Sequence, residues 1–204
     1  MDDEAIIERL IAAYSQIRYE KILKPWIMDE KDNVLFEDKT KELSEYDFKI
    51  YDNVMKIEKM KSILQQHKLK NGLDYVIIDY IQLCETSQKS NSTNERISHI
   101  SRQIKLMQKE LKVPFLVLSQ LSREQEKNNR PPKLTDLRDS GSLEQDADSV
   151  WFLYDKNAGE YDQDKSDTTE VDLIIAKQRS GRRDIFTQLN YYKSTQKFFE
   201  KTPF

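Results

Sequence analysis

The residues Tyr75-Val76-Ile77-Ile78-Asp79 decide how this chain is read. Tyr75 to Ile78 form a continuous apolar run, suited to a strand covered on both faces, as strands of parallel sheets are. The run ends on an acid. A second run, Phe115-Leu116-Val117-Leu118, follows Pro114 and ends on Ser119-Gln120. Between the two, Ile97, Ile100, Ile104, Met107 and Leu111 recur at helical spacing, which predicts a helix over 94–111 with Thr93 as N-cap. Strand, helix and strand in this order predict an α/β layer structure.

Upstream, Ile6, Ile7, Leu10, Ile11, Tyr14 and Ile17 share one face of a helix expected over 4–22, with Asp2 or Asp3 as its N-cap. Residues 23–44 read as irregular and polar, with room for a short helix, and Tyr46 to Tyr51 as a short strand. A second helix is expected over 54–70, burying Ile57, Met60 and Leu64 and stopping at Gly72. Downstream, strands are expected at 149–154, 170–177, 185–191 and 196–200, paired as antiparallel hairpins. Polar loops interrupt this order at 85–95, 123–133 and 155–170, the last with six carboxylates against two lysines. The expected organisation is a helical lead-in over about 1–72 and a motif-bearing core over 73–204.

Composition narrows the function classes. Of 204 residues, 37% are apolar and 34% charged, and the net charge of -3 excludes a protein that coats nucleic acid as a polycation. No apolar run approaches the roughly 18 residues of a membrane span. The acidic start MDDEAIIERL is unlike a signal or transit peptide, so a soluble, cytoplasmic chain is expected. One cysteine, Cys84, excludes an internal disulfide and a cysteine-rich zinc site, and two histidines, His67 and His99, argue against a histidine metal cluster. Glycine is the most decisive count. The four glycines, Gly72, Gly141, Gly159 and Gly181, are followed by Leu73, Ser142, Glu160 and Arg182. A P-loop needs G-x-x-x-x-G-K-[ST], because glycines let backbone N–H groups wrap phosphates while the lysine reaches the β and γ oxygens. This sequence holds no such loop and no G-x-G-x-x-G.

Four segments carry candidate chemistry, each beside a plain structural reading. Val76-Ile77-Ile78-Asp79 has the form of a Walker B strand, with Asp79 where open α/β sheets bind ligands and where an acid holds the Mg²⁺ of a nucleotide; buried strands also end on Asp at ordinary turns. Gln120 is placed to hydrogen-bond a γ-phosphate or the attacking water, or to enter a polar loop. In Asp136 to Asp148, Ser142 and Gln145 have the spacing of a capping box, and Ser140, Gly141 and Arg138 could grip a phosphate; a capped helix with a charged face reads the same way. Lys177-Gln178-Arg179-Ser180-Gly181-Arg182-Arg183 puts four cations in seven residues at a hairpin tip, either a solvated turn or a cationic finger for a phosphate.

The order of these segments is more specific than any one of them. VIIDYIQL (76–83), VPFLVLSQLSR (113–123), LRDSGSLEQDAD (137–148) and IIAKQRSG (174–181) resemble consecutive motifs of the DnaB-type replicative helicases. The resemblance implies a RecA-like three-layer α/β/α core, incomplete at its N-terminal side, with C-terminal β-hairpins. It implies a motor domain of a hexameric ring around single-stranded DNA, with ATP and Mg²⁺ between neighbours. Asp79 matches the Walker B aspartate, and Gln120 matches the glutamine coupling the γ-phosphate to the DNA loops. Arg138, Asp139 and Gly141 match the loop holding the DNA backbone, with Asp139 where many members have Glu. Lys177 and Arg179 match a lysine and arginine finger reaching the next subunit's nucleotide.

By the same resemblance the catalytic glutamate, the P-loop, a linker helix and a collar domain would lie upstream of Met1. Two functions follow as expectations. One is part of an ATP-dependent helicase, inactive as a hydrolase alone and associating with itself or with a P-loop-bearing polypeptide. The other is a non-hydrolysing binding or regulatory protein acting on a helicase ring or on DNA. A RadA-type recombination protein fits less well, since that family reads Lys-Asn-Arg-Phe-Gly where this chain reads Lys177-Gln178-Arg179-Ser180-Gly181.

Overall fold

Asp2 opens the first helix as its sequence implies, its carboxylate accepting the Ala5 N–H at 3.0 Å. A computed structural model describes residues 2–122, 130–137, 141–156, 166–181 and 185–201. Helix α1 spans Asp3–Ser15, α2 Tyr19–Leu23, α3 Glu30–Ser44 and α4 Ile57–Asn71; strand β1 is Val76–Ile78, α5 Thr93–Leu111 and β2 Phe115–Val117. Helix α6 is Gly141–Asp146, and strands β3 to β6 are Ser149–Asp155, Thr168–Gln178, Ile185–Tyr192 and Lys197–Glu200. β1 pairs in parallel with β2, Ile77 opposite Leu116, and the other four strands form a sheet in the order β3-β4-β5-β6, with β5 and β6 antiparallel.

The chain divides into two packed units, Met1–Asp52 with Leu153–Leu173 and Phe186–Phe204, and Asn53–Phe152 with Ile174–Ile185. The second has the larger core. Ile97, Ile100, Ile104, Met107 and Leu111 are buried along α5 as their spacing predicts, against Ile57 and Leu64 of α4, Ile78 of β1, and Ile81, Cys84 and Val113. Each such side chain contributes about 1.5–3 kcal/mol by leaving water. Burial also pushes the Cys84 thiol up from its ordinary value, so this cysteine packs and does not attack. Gly72 ends α4 at φ 84°, a conformation that only glycine adopts without strain. In the first unit a smaller cluster gathers Ile11, Ala12, Ile17 and Ile22 against Leu35, Phe36 and Leu43.

Several expectations need correction. The helix expected over 4–22 breaks after Ser15, whose hydroxyl donates back to the Ile11 carbonyl at 2.6 Å and accepts the Ile17 N–H at 3.1 Å, while Gln16 turns left-handed at φ 60°. On α1 only Ile11 of the apolar stripe is buried; Ile7, Leu10 and Tyr14 are exposed. The irregular stretch at 23–44 contains α3, started by a capping box in which the carboxylates of Asp29 and Asp32 accept each other's backbone N–H. Tyr46 to Tyr51 make no strand. The N-cap of α5 is Ser92, not Thr93. Finally, β1 and β2 are covered on one face only: Ile78 is 6% exposed, but Ile77 and Leu116 are 55% and 52% exposed.

Candidate nucleotide and DNA interface

Parallel pairing places Asp79 and Gln120 at one end of the β1–β2 ladder. The ladder runs past both strands: the Leu118 N–H donates to the Ile78 carbonyl at 2.9 Å, and the Ile81 N–H donates to the Leu118 carbonyl at 3.0 Å. Asp79 and Gln120 are both exposed there. Gln82, which the sequence reading missed, ties the two strand ends together. Its Oε1 accepts the Gln120 N–H at 3.3 Å and its Nε2 donates to the Ser119 hydroxyl at 3.1 Å. From α5, Arg96 donates to the carbonyls of Cys84 and Gln82 at 2.5 and 3.2 Å, fixing the turn that carries Gln82.

The donor set limits what can bind. Among the described residues no group of three or more His, Cys, Asp or Glu could hold a metal ion. One exposed carboxylate fits a Mg²⁺ that brings its own phosphates and water, the usual way Mg²⁺ is held in nucleotide sites. It does not fit a metal bound by protein alone. The sequence holds no glycine-rich phosphate loop to stand beside Asp79 and Gln120.

Arg130 braces the segment 130–136. Its guanidinium donates to both oxygens of buried Asp136, at 2.7 and 2.8 Å, and the Lys133 N–H donates to the same carboxylate at 2.7 Å. The Arg130 guanidinium therefore holds the Asp136 carboxyl below its usual range, against the opposing effect of burial. Arg138 and Asp139 lie outside the described residues, and Gly141 is the first residue of α6. Ser142 sits inside that helix and so caps nothing: its hydroxyl meets that of Ser98 at 2.8 Å, which corrects the expected capping box with Gln145.

Lys177 and Arg179 both meet the segment 144–148 of their own chain. The Lys177 ammonium donates to the Glu144 carbonyl. Arg179 donates through one terminal nitrogen to Asp148 Oδ1 at 2.8 Å and through the other to the Gln145 carbonyl at 3.0 Å. Lys105 of α5 takes the second oxygen of Asp148 at 2.5 Å. Lys105 first, and Arg179 after it, hold the Asp148 carboxyl below its usual range. A Cβ on Gly181 would come within 2.9 Å of Gln178 Cγ, so any other residue there would require the Gln178 side chain to shift. Asp148 and Lys105 left no local signal in the sequence, because their partner is reached only through the fold.

Residues 1–200 match the family model for the DnaB-like helicase C-terminal domain. The chain belongs to that family. It is 34% identical to the replicative DNA helicase DnaB of Mycobacterium leprae (strain TN) over 183 residues, 89% of this chain and 30% of that protein. It is 42% identical to the DnaB of Leifsonia xyli subsp. xyli (strain CTCB07) over 128 residues, 62% of this chain and 28% of that protein. The chain thus spans about a third of these relatives. A solved structure of an ATPase domain superposes with a TM-score of 0.88 at 34% identity, covering 99% of this chain and 72% of that one. A DnaB-like replicative helicase, solved in a study of its interactions with primase, gives 0.86 at 34% identity, covering 97% of this chain and 48% of that one. The chain therefore has the α/β architecture of the RecA-like ATPase domains of its family. No helix among the described residues is long and apolar enough to cross a membrane.

Proposed function

We propose that this chain is part of a replicative DNA helicase motor, one that moves along single-stranded DNA at the expense of ATP. The observation that carries the reading is its likeness, across 99% of its length, to a solved ATPase domain. In this reading Asp79 holds the Mg²⁺ of a bound ATP, and Gln120, tied to Asp79's strand through Gln82, senses the γ-phosphate. The loop at Arg138, Asp139 and Gly141 grips the DNA backbone. Lys177 and Arg179 reach the nucleotide of a neighbouring subunit in a ring. ATP would supply the phosphoryl group whose loss drives movement; the residues of this chain orient the metal and present cations.

The phosphates need a P-loop, and the residues of this sequence contain none, so it would come from elsewhere in the same protein or from a partner. That same observation favours a second reading, a non-hydrolysing module that docks on a helicase ring or on DNA. Assayed alone, the chain is expected to show no ATP turnover above background, since the groups that neutralise the β and γ phosphates supply nearly all catalysis of phosphoryl transfer. Turnover by the purified chain that Asp79→Ala abolishes would overturn this. Adding a P-loop-bearing DnaB-type polypeptide separates the two readings: stimulated hydrolysis that needs Arg179 supports the motor, and binding without any change in rate supports the module.

A further inference from the structure

Helix α5 presents Ser98, Ser101, Arg102 and Lys105 on one face, at the spacing that puts side chains side by side on a helix. They meet the segment 142–148 in order. Ser98 meets Ser142, the Ser101 hydroxyl donates to Asp146 at 2.8 Å, Arg102 lies 3.6 Å from the same carboxylate, and Lys105 binds Asp148. On its other oxygen Asp148 carries Arg179, whose backbone N–H also donates to the Asp148 carbonyl at 2.9 Å. The two partners of Asp148 differ in shelter: the Lys105 side chain is 10% exposed, that of Arg179 52%. Lys105 anchors the carboxylate, and Arg179 is the partner that can leave.

We propose that Asp148 is a positioning residue for Arg179, holding its guanidinium against 145–148 in the free subunit and yielding it when a phosphate arrives. Both terminal nitrogens of Arg179 are engaged on its own chain. A phosphate that draws the guanidinium into a bidentate grip therefore competes with Asp148 for it. An ion pair this exposed weakens a competing contact only by roughly two- to fivefold, which makes the hold a light one that a polyanion displaces. The proposal rests on the motor reading only for where that phosphate would sit.

The test uses the full chain with pyrophosphate as the probe, at low ionic strength, with binding followed by calorimetry. Asp148→Asn is expected to bind pyrophosphate about two- to fivefold more tightly. The gain should vanish in an Arg179→Ala background. Asp146→Asn makes the same charge change beside Ser101 and Arg102 without touching Arg179, and should give less than a twofold gain. No gain from Asp148→Asn, a gain that survives Arg179→Ala, or no measurable binding by any form would overturn the proposal.

A second measurement stands if Asp148→Asn does not fold. In ¹⁵N spectra of the wild-type chain, the Nη signals of Arg179, assigned through Arg179→Lys, should be split by hindered rotation and move as pyrophosphate saturates. A single averaged signal before any pyrophosphate is added overturns the hold. Failure of either measurement leaves the trans role of Arg179 to the stimulation assay, and failure of that assay leaves the hold on Asp148 standing.

Discussion

The two candidate chemical ends of this chain are built by different means. Asp79 and Gln120 are placed by backbone: a parallel ladder, continued by the Leu118 and Ile81 amides, sets their separation, and their side chains face solvent. Lys177 lies in β4 and the Arg179 amide is bonded to the Asp148 carbonyl, but their charged ends are held by side-chain hydrogen bonds to Glu144, Gln145 and Asp148. A ladder anchored on the α5 core resists change, because shifting it disturbs buried isoleucines. The exposed contacts of Arg179 cost little to undo. Under the proposed function, the first end would be a fixed receiver of metal and phosphate, and the second a cationic group that changes partner.

The largest effect expected from that contrast is in rate. With a P-loop-bearing partner present, Arg179→Ala should cost up to roughly 10³–10⁵ in stimulated hydrolysis, the range over which arginine fingers act. Its melting temperature should stay close to wild type, because the pair it loses is exposed. Steady-state ATPase and thermal melts on the same samples check both halves. A variant that melts early and still stimulates fully would mean the residue serves the fold.

Next come the two faces of the β1–β2 pair. Ile100→Ala removes a fully buried side chain from α5 and should destabilise by about 2–5 kcal/mol in a denaturant titration. Ile77→Thr, on the bare face, should change stability by no more than about 0.5 kcal/mol in the free chain. Equal losses would mean that the bare face is covered in solution, for instance by a second copy of the chain.

Asp136 gives a smaller, pH-dependent effect. Its folded-state value is depressed by Arg130. The stability it adds is therefore fully present above the unfolded carboxylate value near 3.9, and is lost as pH falls through the folded value. Asp136→Asn should cost about 1–3 kcal/mol at neutral pH, and should flatten the acid limb of a stability profile below about pH 4. An unchanged acid limb in the variant would assign acid sensitivity to other carboxylates.

What could be read in the sequence follows from range. The α5 stripe, the two apolar runs and the C-terminal strands were legible because their signals are periodic and local. Helix α3 was legible only as room for a short helix, because its core contacts, Leu35, Phe36 and Leu43, are sparse in a polar run; the signal for its start was the Asp29–Asp32 spacing. The break after Ser15 was hidden because the apolar pattern continues through Ile17 across it. Of the site, motif order brought forward Asp79, Gln120, Lys177 and Arg179, while Gln82 and Asp148 stood inside the quoted motifs without a role and Lys105 outside them, since each acts on a partner far away in sequence. The bare face of β1 and β2 was also illegible: apolar runs say what must be covered, and nothing about what covers it.

Gln82 offers the finest test of the backbone-placed end. It spans the two strand ends, accepting from the Gln120 amide and donating to Ser119. Both contacts lie near water, so Gln82→Ala should cost the fold only about 1 kcal/mol or less. The local consequence is sharper. With its acceptor gone, the Gln120 amide should exchange with solvent up to about fivefold faster, which is that same 1 kcal/mol expressed as an opening equilibrium. Gln82→Glu keeps an acceptor for Gln120 and loses the donor to Ser119, so it should leave the Gln120 amide protected. Hydrogen exchange read at residue 120 therefore separates a strut from a surface glutamine. If Gln82→Ala leaves that amide unchanged, the ladder alone positions Gln120, and the two ends of the chain differ even more than their hydrogen bonds suggest.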